Sequence, residues 1–211
     1  LTDAFFICDE KDAPEYDFIR AISRNYQIPF RLESLDEGIR GYKIDNEIVI
    51  NRHLAPERRN WTFCHELAHI VLGHSPSPND YEEREADRYA ADLMLPEREF
   101  IPDSAAWDLE KLKGLYPHAS YETLARRCLQ FRPAVMTIFD DGEITCRAGS
   151  ESIVFPIKPA PLEIEVFQRC WEQKQHFEKS DEGLTVKGWF IDLDRAVTRV
   201  ILITEPMEAV D

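Results

Sequence analysis

The sequence predicts an α+β protein in two parts: helices around a small sheet over residues 1–132, then a smaller antiparallel α+β unit over 133–211. Three observations predict it. Short β-rich segments separated by turn residues occupy 28–51. Two stretches of helical periodicity follow, at 56–72 and 79–95. After Pro133 the pattern changes to short strands paired around Asp140-Asp141-Gly142, a strong hairpin signal.

In chain order, residues 14–26 read as an amphipathic helix. Residues 28–32, 41–44 and 47–51 read as strands, with Asp45-Asn46 a tight turn between the last two. Pro56 and Glu57 suit the first turn of the next helix, and Gly73 suits its C-terminal cap with Pro76 and Pro78 beyond. This helix is apolar nearly all round, so burial is expected. The following helix repeats Ala86, Tyr89, Ala90, Leu93 and Met94 at helical spacing and stops at Pro96. Its small Ala86 and Ala90 permit close approach to the helix before it. Residues 104–113 and 120–130 read as helices, with Arg126 and Arg127 a solvated face and not a DNA contact. In the second part, strands are expected at 135–139, 143–147, 153–157, 186–193 and 199–204, with a helix over 162–177. Phe155, Phe167, Trp171, Trp189 and Phe190 are read as its core.

The chain has 211 residues and a formal charge of −15. No stretch is long and apolar enough to span a membrane. The acidity argues against broad contact with nucleic-acid phosphates and suits a basic partner or a solvated surface. Five scattered cysteines without a CxxC pair point to reduced thiols and a cytoplasmic home, with Cys64 in the core. The first residues lack a basic, signal-like stretch, and a chain opening at Leu1 is expected to have lost residues upstream.

The residues that carry chemistry are His65-Glu66-Leu67-Ala68-His69, an HExxH pattern. Two histidines four apart lie one turn apart on one helical face, where each can offer a neutral imidazole nitrogen to one metal ion. Glu66 lies to the side, placed to take a proton from an attacking water. Strands 28–51 then form the small sheet of a zincin-like core, whose edge can pair with an extended substrate. A catalytic site of this kind needs a third protein ligand. Glu83 and Asp87 share a face of the next helix, one as ligand and one as acceptor of a histidine N–H. Glu82 and Glu85 compete with Glu83, and Asp80-x-x-Glu83 also reads as a capping box. His74 is expected behind the ligands or at the helix end. His53, His118 and His176 stand outside any cluster. Zinc is the default metal, with manganese or iron possible on the same ligands.

Residues 59–74, Arg59-Asn60-Trp61-Thr62-Phe63-Cys64-His65-Glu66-Leu67-Ala68-His69 through Gly73-His74, resemble the motif of the ImmA/IrrE family of metallopeptidases. So do Glu83-x-x-x-Asp87 and the stop at Leu93-Met94-Leu95-Pro96. The resemblance covers roughly residues 20–100, and the two motifs together are more specific than HExxH alone. Trp61 and Cys64 stand where phenylalanine and alanine are more usual, away from the ligand positions. The resemblance implies His65, His69 and Glu83 as zinc ligands and Glu66 as general base. It also implies an endopeptidase that cleaves a helix-turn-helix repressor in a stress or mobile-element response. A GAF-like sensor follows the peptidase in longer relatives; residues 133–211 are short for one.

Two other readings compete. A non-proteolytic regulator would sequester its partner, with a structural metal and His74 as the obvious fourth ligand. A toxin-like protease would share the chemistry and differ in substrate. Tyr81, Tyr89 and His74 are the candidates for stabilising the oxyanion.

Overall fold

The computed structural model describes residues 16–181, 183–192 and 197–206. They form an α+β protein in two compact units. The first takes the described residues to Asp103 together with Glu110–Ser120; the second takes Ser104–Leu109 and the described residues from Tyr121 on.

The first unit opens with helix α1 (Asp17–Tyr26) and strands β1 (Phe30–Glu33), β2 (Gly41–Ile44) and β3 (Glu47–Asn51). The sheet order is β1-β3-β2, with β1 parallel and β2 antiparallel to β3. Ile48, Val49 and Ile50 are fully buried, as a central strand covered on both faces requires. The turn before β3 bends through Asp45, at φ 51°. Strand β2 is the free edge, and it lies against the next helix.

That helix, α2 (Pro56–Val71), carries Pro56 in its first turn, where a missing N–H costs nothing. It ends at Leu72, with Gly73 at φ 70° turning the chain away. Phe63, Cys64, Leu67 and Ala68 are fully buried. The expected all-round burial fails at the last turn, where Val71 and Leu72 are exposed. Helix α3 (Asp80–Met94) packs on α2 through Ala86 and Ala90, both fully buried. Its capping box is Asn79 with Glu82, not Asp80 with Glu83. Asn79 Oδ1 accepts from the Tyr81 and Glu82 N–H groups, and Glu82 accepts from the Asn79 N–H.

The helix expected over 104–113 forms only from Leu109, as α5 (Leu109–Leu115), and an unexpected helix α4 (Glu97–Ser104) ends where it was to begin. The buried Trp107, at φ 51°, breaks the path between them.

The second unit has helices α6 (Tyr121–Cys128) and α7 (Pro161–Gln173) and strands β4 (Val135–Asp140), β5 (Glu143–Gly149), β6 (Phe177–Asp181), β7 (Leu184–Asp192) and β8 (Thr198–Pro206). The strands form one antiparallel sheet in the order β5-β4-β8-β7-β6. Helix α7 covers one face, burying Leu162, Val166 and Cys170 against Phe139, Val186, Val200 and Leu202. A Cβ on Gly188 would lie 2.5 Å from Cys170 Sγ, so helix and sheet touch directly there. Phe167, Trp171 and Phe190 pack on this core. Trp189, one residue along β7, is buried too. Phe155 packs instead on Gly149 and under the Arg147 guanidinium.

Three expectations for this unit need correction. Residues 153–157 form no strand, and Val154 and Ile157 stand almost wholly in solvent. The helix over 162–177 stops at Gln173, and Phe177 opens β6. Of the arginine pair, Arg126 is exposed but Arg127 is buried, stacked over Phe131 and bonded to Gln130. Residues 14, 15 and 193, at the ends of expected elements, lie outside the described residues. Among the described residues no helix is long and apolar enough to cross a membrane, and Cys64, Cys128, Cys146 and Cys170 are free.

Candidate metal centre

Helices α2 and α3 bring together three of the residues singled out by their spacing. His65 Nε2 and His69 Nε2 lie 3.1 Å apart. Glu83 reaches over from α3, with one carboxylate oxygen 3.2 Å from His65 Nε2 and the other 3.7 Å from His69 Nε2. The donor atoms of these three residues all lie within 4.8 Å of one another.

Hydrogen bonds behind the rings explain why both histidines turn the same nitrogen inward. His65 Nδ1 donates to Asp87 Oδ1 at 3.0 Å, and His69 Nδ1 meets His74 Nδ1 at 2.9 Å. A proton on each Nδ1 leaves both Nε2 lone pairs facing one point. Two lone pairs and a carboxylate in so small a space repel unless a cation sits among them, so the residues fit a metal. Two imidazoles and one carboxylate are a donor set for zinc, and for manganese or iron.

The electrostatics agree. Burial draws the His69 pKa down to about 4, with the His65 and His74 rings adding to the effect, so the ring is neutral and able to ligate near pH 7. For His65 burial acts downward, but the hydrogen bond to Asp87 and the charges of Asp87, Glu66 and Glu83 raise it overall. Burial raises the Glu66 carboxyl above its usual range, against the opposing pull of His65 and Lys43. A raised carboxyl pKa suits a group that must accept a proton and release it.

The competing carboxylates are occupied elsewhere. Glu82 accepts from Ser75 N–H at 3.0 Å and Ser75 Oγ at 3.2 Å besides capping α3. Glu85 accepts from Tyr81 Oη at 3.0 Å and lies 3.6 Å from His74 Nε2. His74 stands behind the His69 ring, outside the three converging donors. The Tyr89 hydroxyl pairs with that of Tyr26 at 3.0 Å. His53, His118 and His176 bond Ser34, the Met94 carbonyl and the Gly188 carbonyl respectively.

One residue at the site went unmarked in the sequence. The charge of Lys43, on β2, pulls the Glu66 carboxyl down against burial, and its ammonium donates to the His74 carbonyl at 2.9 Å and the His69 carbonyl at 3.3 Å. A cleft of about 540 Å³ opens beside His69, lined by Lys43, Ile44, Ile70, Gly73, His74 and Pro76 among others. A lone lysine in a short strand carries no motif; only the pairing of β2 beside α2 reveals it.

Residues 28–129 match the family described as Peptidase_M78, the IrrE N-terminal-like domain. The M78 match runs from the start of the sheet region, through both metal-centre helices, to just beyond α6. No curated protein matches the chain. Among solved structures, the fold is similar to that of a Mycobacterium tuberculosis transcriptional regulator, at 14% identity and a TM-score of 0.63, over 91% of this chain and 69% of that one.

Proposed function

We propose that the chain is a zinc-dependent endopeptidase acting on a protein substrate inside the cytoplasm. The observation that carries the reading is the convergence of His65, His69 and Glu83 beside a half-buried Glu66, in a segment that matches the M78 family. A bound zinc ion supplies Lewis acidity towards a peptide carbonyl and acidifies water. Glu66 takes the proton of the attacking water and passes it to the leaving amine. In β2 the pair Ile44↔Glu47 flanks the turn, so Gly41 and Lys43 turn their main-chain groups to the free edge. An extended peptide can pair there, past the exposed Tyr42 and Ile44.

Three converging ligands with His74 behind them support a catalytic site over a four-ligand structural one. This weighs against the sequestering reading. A helix-turn-helix repressor is the substrate we propose, on the ImmA/IrrE resemblance; the likeness of the fold to a mycobacterial transcriptional regulator is in keeping with it. The test is incubation of that repressor with the protein, with and without zinc. Cleavage that needs zinc and is lost in Glu66→Gln supports the reading. Intact repressor under every condition, with binding retained, favours sequestration.

A further inference from the structure

The geometry points to Lys43 as a positioning residue that joins the edge strand to the metal helix and so sets His69. The inference rests on the peptidase reading for its kinetic part only.

The approach of β2 to α2 is close. A Cβ on Gly41 would lie 2.6 Å from Thr62 Cγ2 and 2.7 Å from the Val49 carbonyl oxygen, so the strand touches the helix at a place only glycine fits. Two residues on, Lys43 turns to the same side, while Tyr42 and Ile44 face outward. Its ammonium donates to the His74 carbonyl at 2.9 Å and the His69 carbonyl at 3.3 Å. The His69 carbonyl is among the last of α2, with no partner inside the helix, and a cation there also suits the helix dipole. The same oxygen accepts the His74 N–H at 3.0 Å, and the His74 ring backs the His69 ring.

One residue therefore ties two parts of the site: its amine pins the carbonyl of a ligand and anchors the loop residue behind that ligand's ring. The Lys43 ammonium bonds two main-chain carbonyls, and its charge also pulls the Glu66 and His69 pKa values down.

Lys43→Met removes the amine. Its kcat on a peptide cleaved by the zinc-loaded wild type should fall roughly tenfold, with KM within about twofold. Its zinc Kd, measured by competition with a chromophoric chelator, should weaken by roughly tenfold. Lys43→Arg, which can still donate to both carbonyls, should recover part of each loss. Should Lys43→Met fail to fold, Lys43→Gln takes its place. Wild-type kcat and zinc affinity in the methionine variant would overturn the inference. So would losses that arginine leaves wholly unrepaired. If the wild type cleaves nothing, the peptidase reading fails, and zinc affinity alone decides for Lys43.

Discussion

Replacing Glu83 and Glu82 in turn separates a metal ligand from a helix cap one residue away. Structural zinc sites with four ligands bind with about 10–16 kcal/mol, so one ligand accounts for about 3 kcal/mol. Glu83→Ala should then weaken zinc binding by about a hundredfold, at 1.4 kcal/mol per factor of ten. Glu82 touches none of the converging donors. It accepts from Asn79 N–H at 2.9 Å, Ser75 N–H at 3.0 Å and Ser75 Oγ at 3.2 Å. Its loss removes half a capping box, and Glu82→Ala should lower metal-free stability with zinc affinity unchanged. Chelator competition reads the affinities, and thermal unfolding with and without zinc reads the linkage. At a zinc concentration of a hundred times the wild-type Kd, the wild type gains about 2.7 kcal/mol and Glu83→Ala about 0.4 kcal/mol. Zinc affinity lost in Glu82→Ala and kept in Glu83→Ala would refute the ligand assignment.

Three further outcomes are expected. Glu66→Gln should keep its zinc, by metal analysis of the purified protein, while cleavage falls by roughly 10²–10⁴. Asp87→Ala, which unbacks the His65 ring, should weaken zinc binding by roughly 10- to 100-fold in the same competition titration. In the second unit, burial acts to raise the Glu163 pKa, but the Arg147 guanidinium, the Ala160 N–H and the Thr204 hydroxyl together hold it below its usual value. Its stabilisation is therefore present above the unfolded value of about 4.3 and lost as pH falls through the folded one. Glu163→Gln should cost about 3 kcal/mol at pH 7 and flatten the acid limb of urea-unfolding stability; an unchanged acid limb would show that Glu163 carries none of it.

The metal helix was legible because every signal in it agrees: Pro56 at the start, Gly73 past the end, and an apolar run broken only where chemistry needs it. The start of α3 was harder. Asn79 and Asp80 are both capping residues, and choosing between them shifts which glutamate closes the box by one place. The extended backbone of Asn79 decides for Glu82, which leaves Glu83 free to face the histidines. Residues 153–157 have β-branched side chains but a proline among them and no neighbouring strand, so β propensity had nothing to pair with. Strand β6 was missed for the opposite reason. Phe177-Glu178-Lys179-Ser180-Asp181 is polar, and only its pairing with β7 makes it a strand. Trp107 falls inside the helix expected over 104–113, yet its positive φ ends any helix there. Lys43 could not have been found from sequence, because its role depends on a contact that Gly41 makes possible.

The two imidazoles of the metal centre are backed by different partners, a carboxylate behind His65 and another imidazole behind His69. A full negative charge on the far nitrogen pushes electron density towards the near one; a neutral ring does so weakly. The pair is therefore graded, with His65 the stronger donor and His69 the softer. His69 is also the ring beside the open cleft and the edge strand. A metal held here would have its weaker histidine bond on the side of the cleft and its stronger one beside α3.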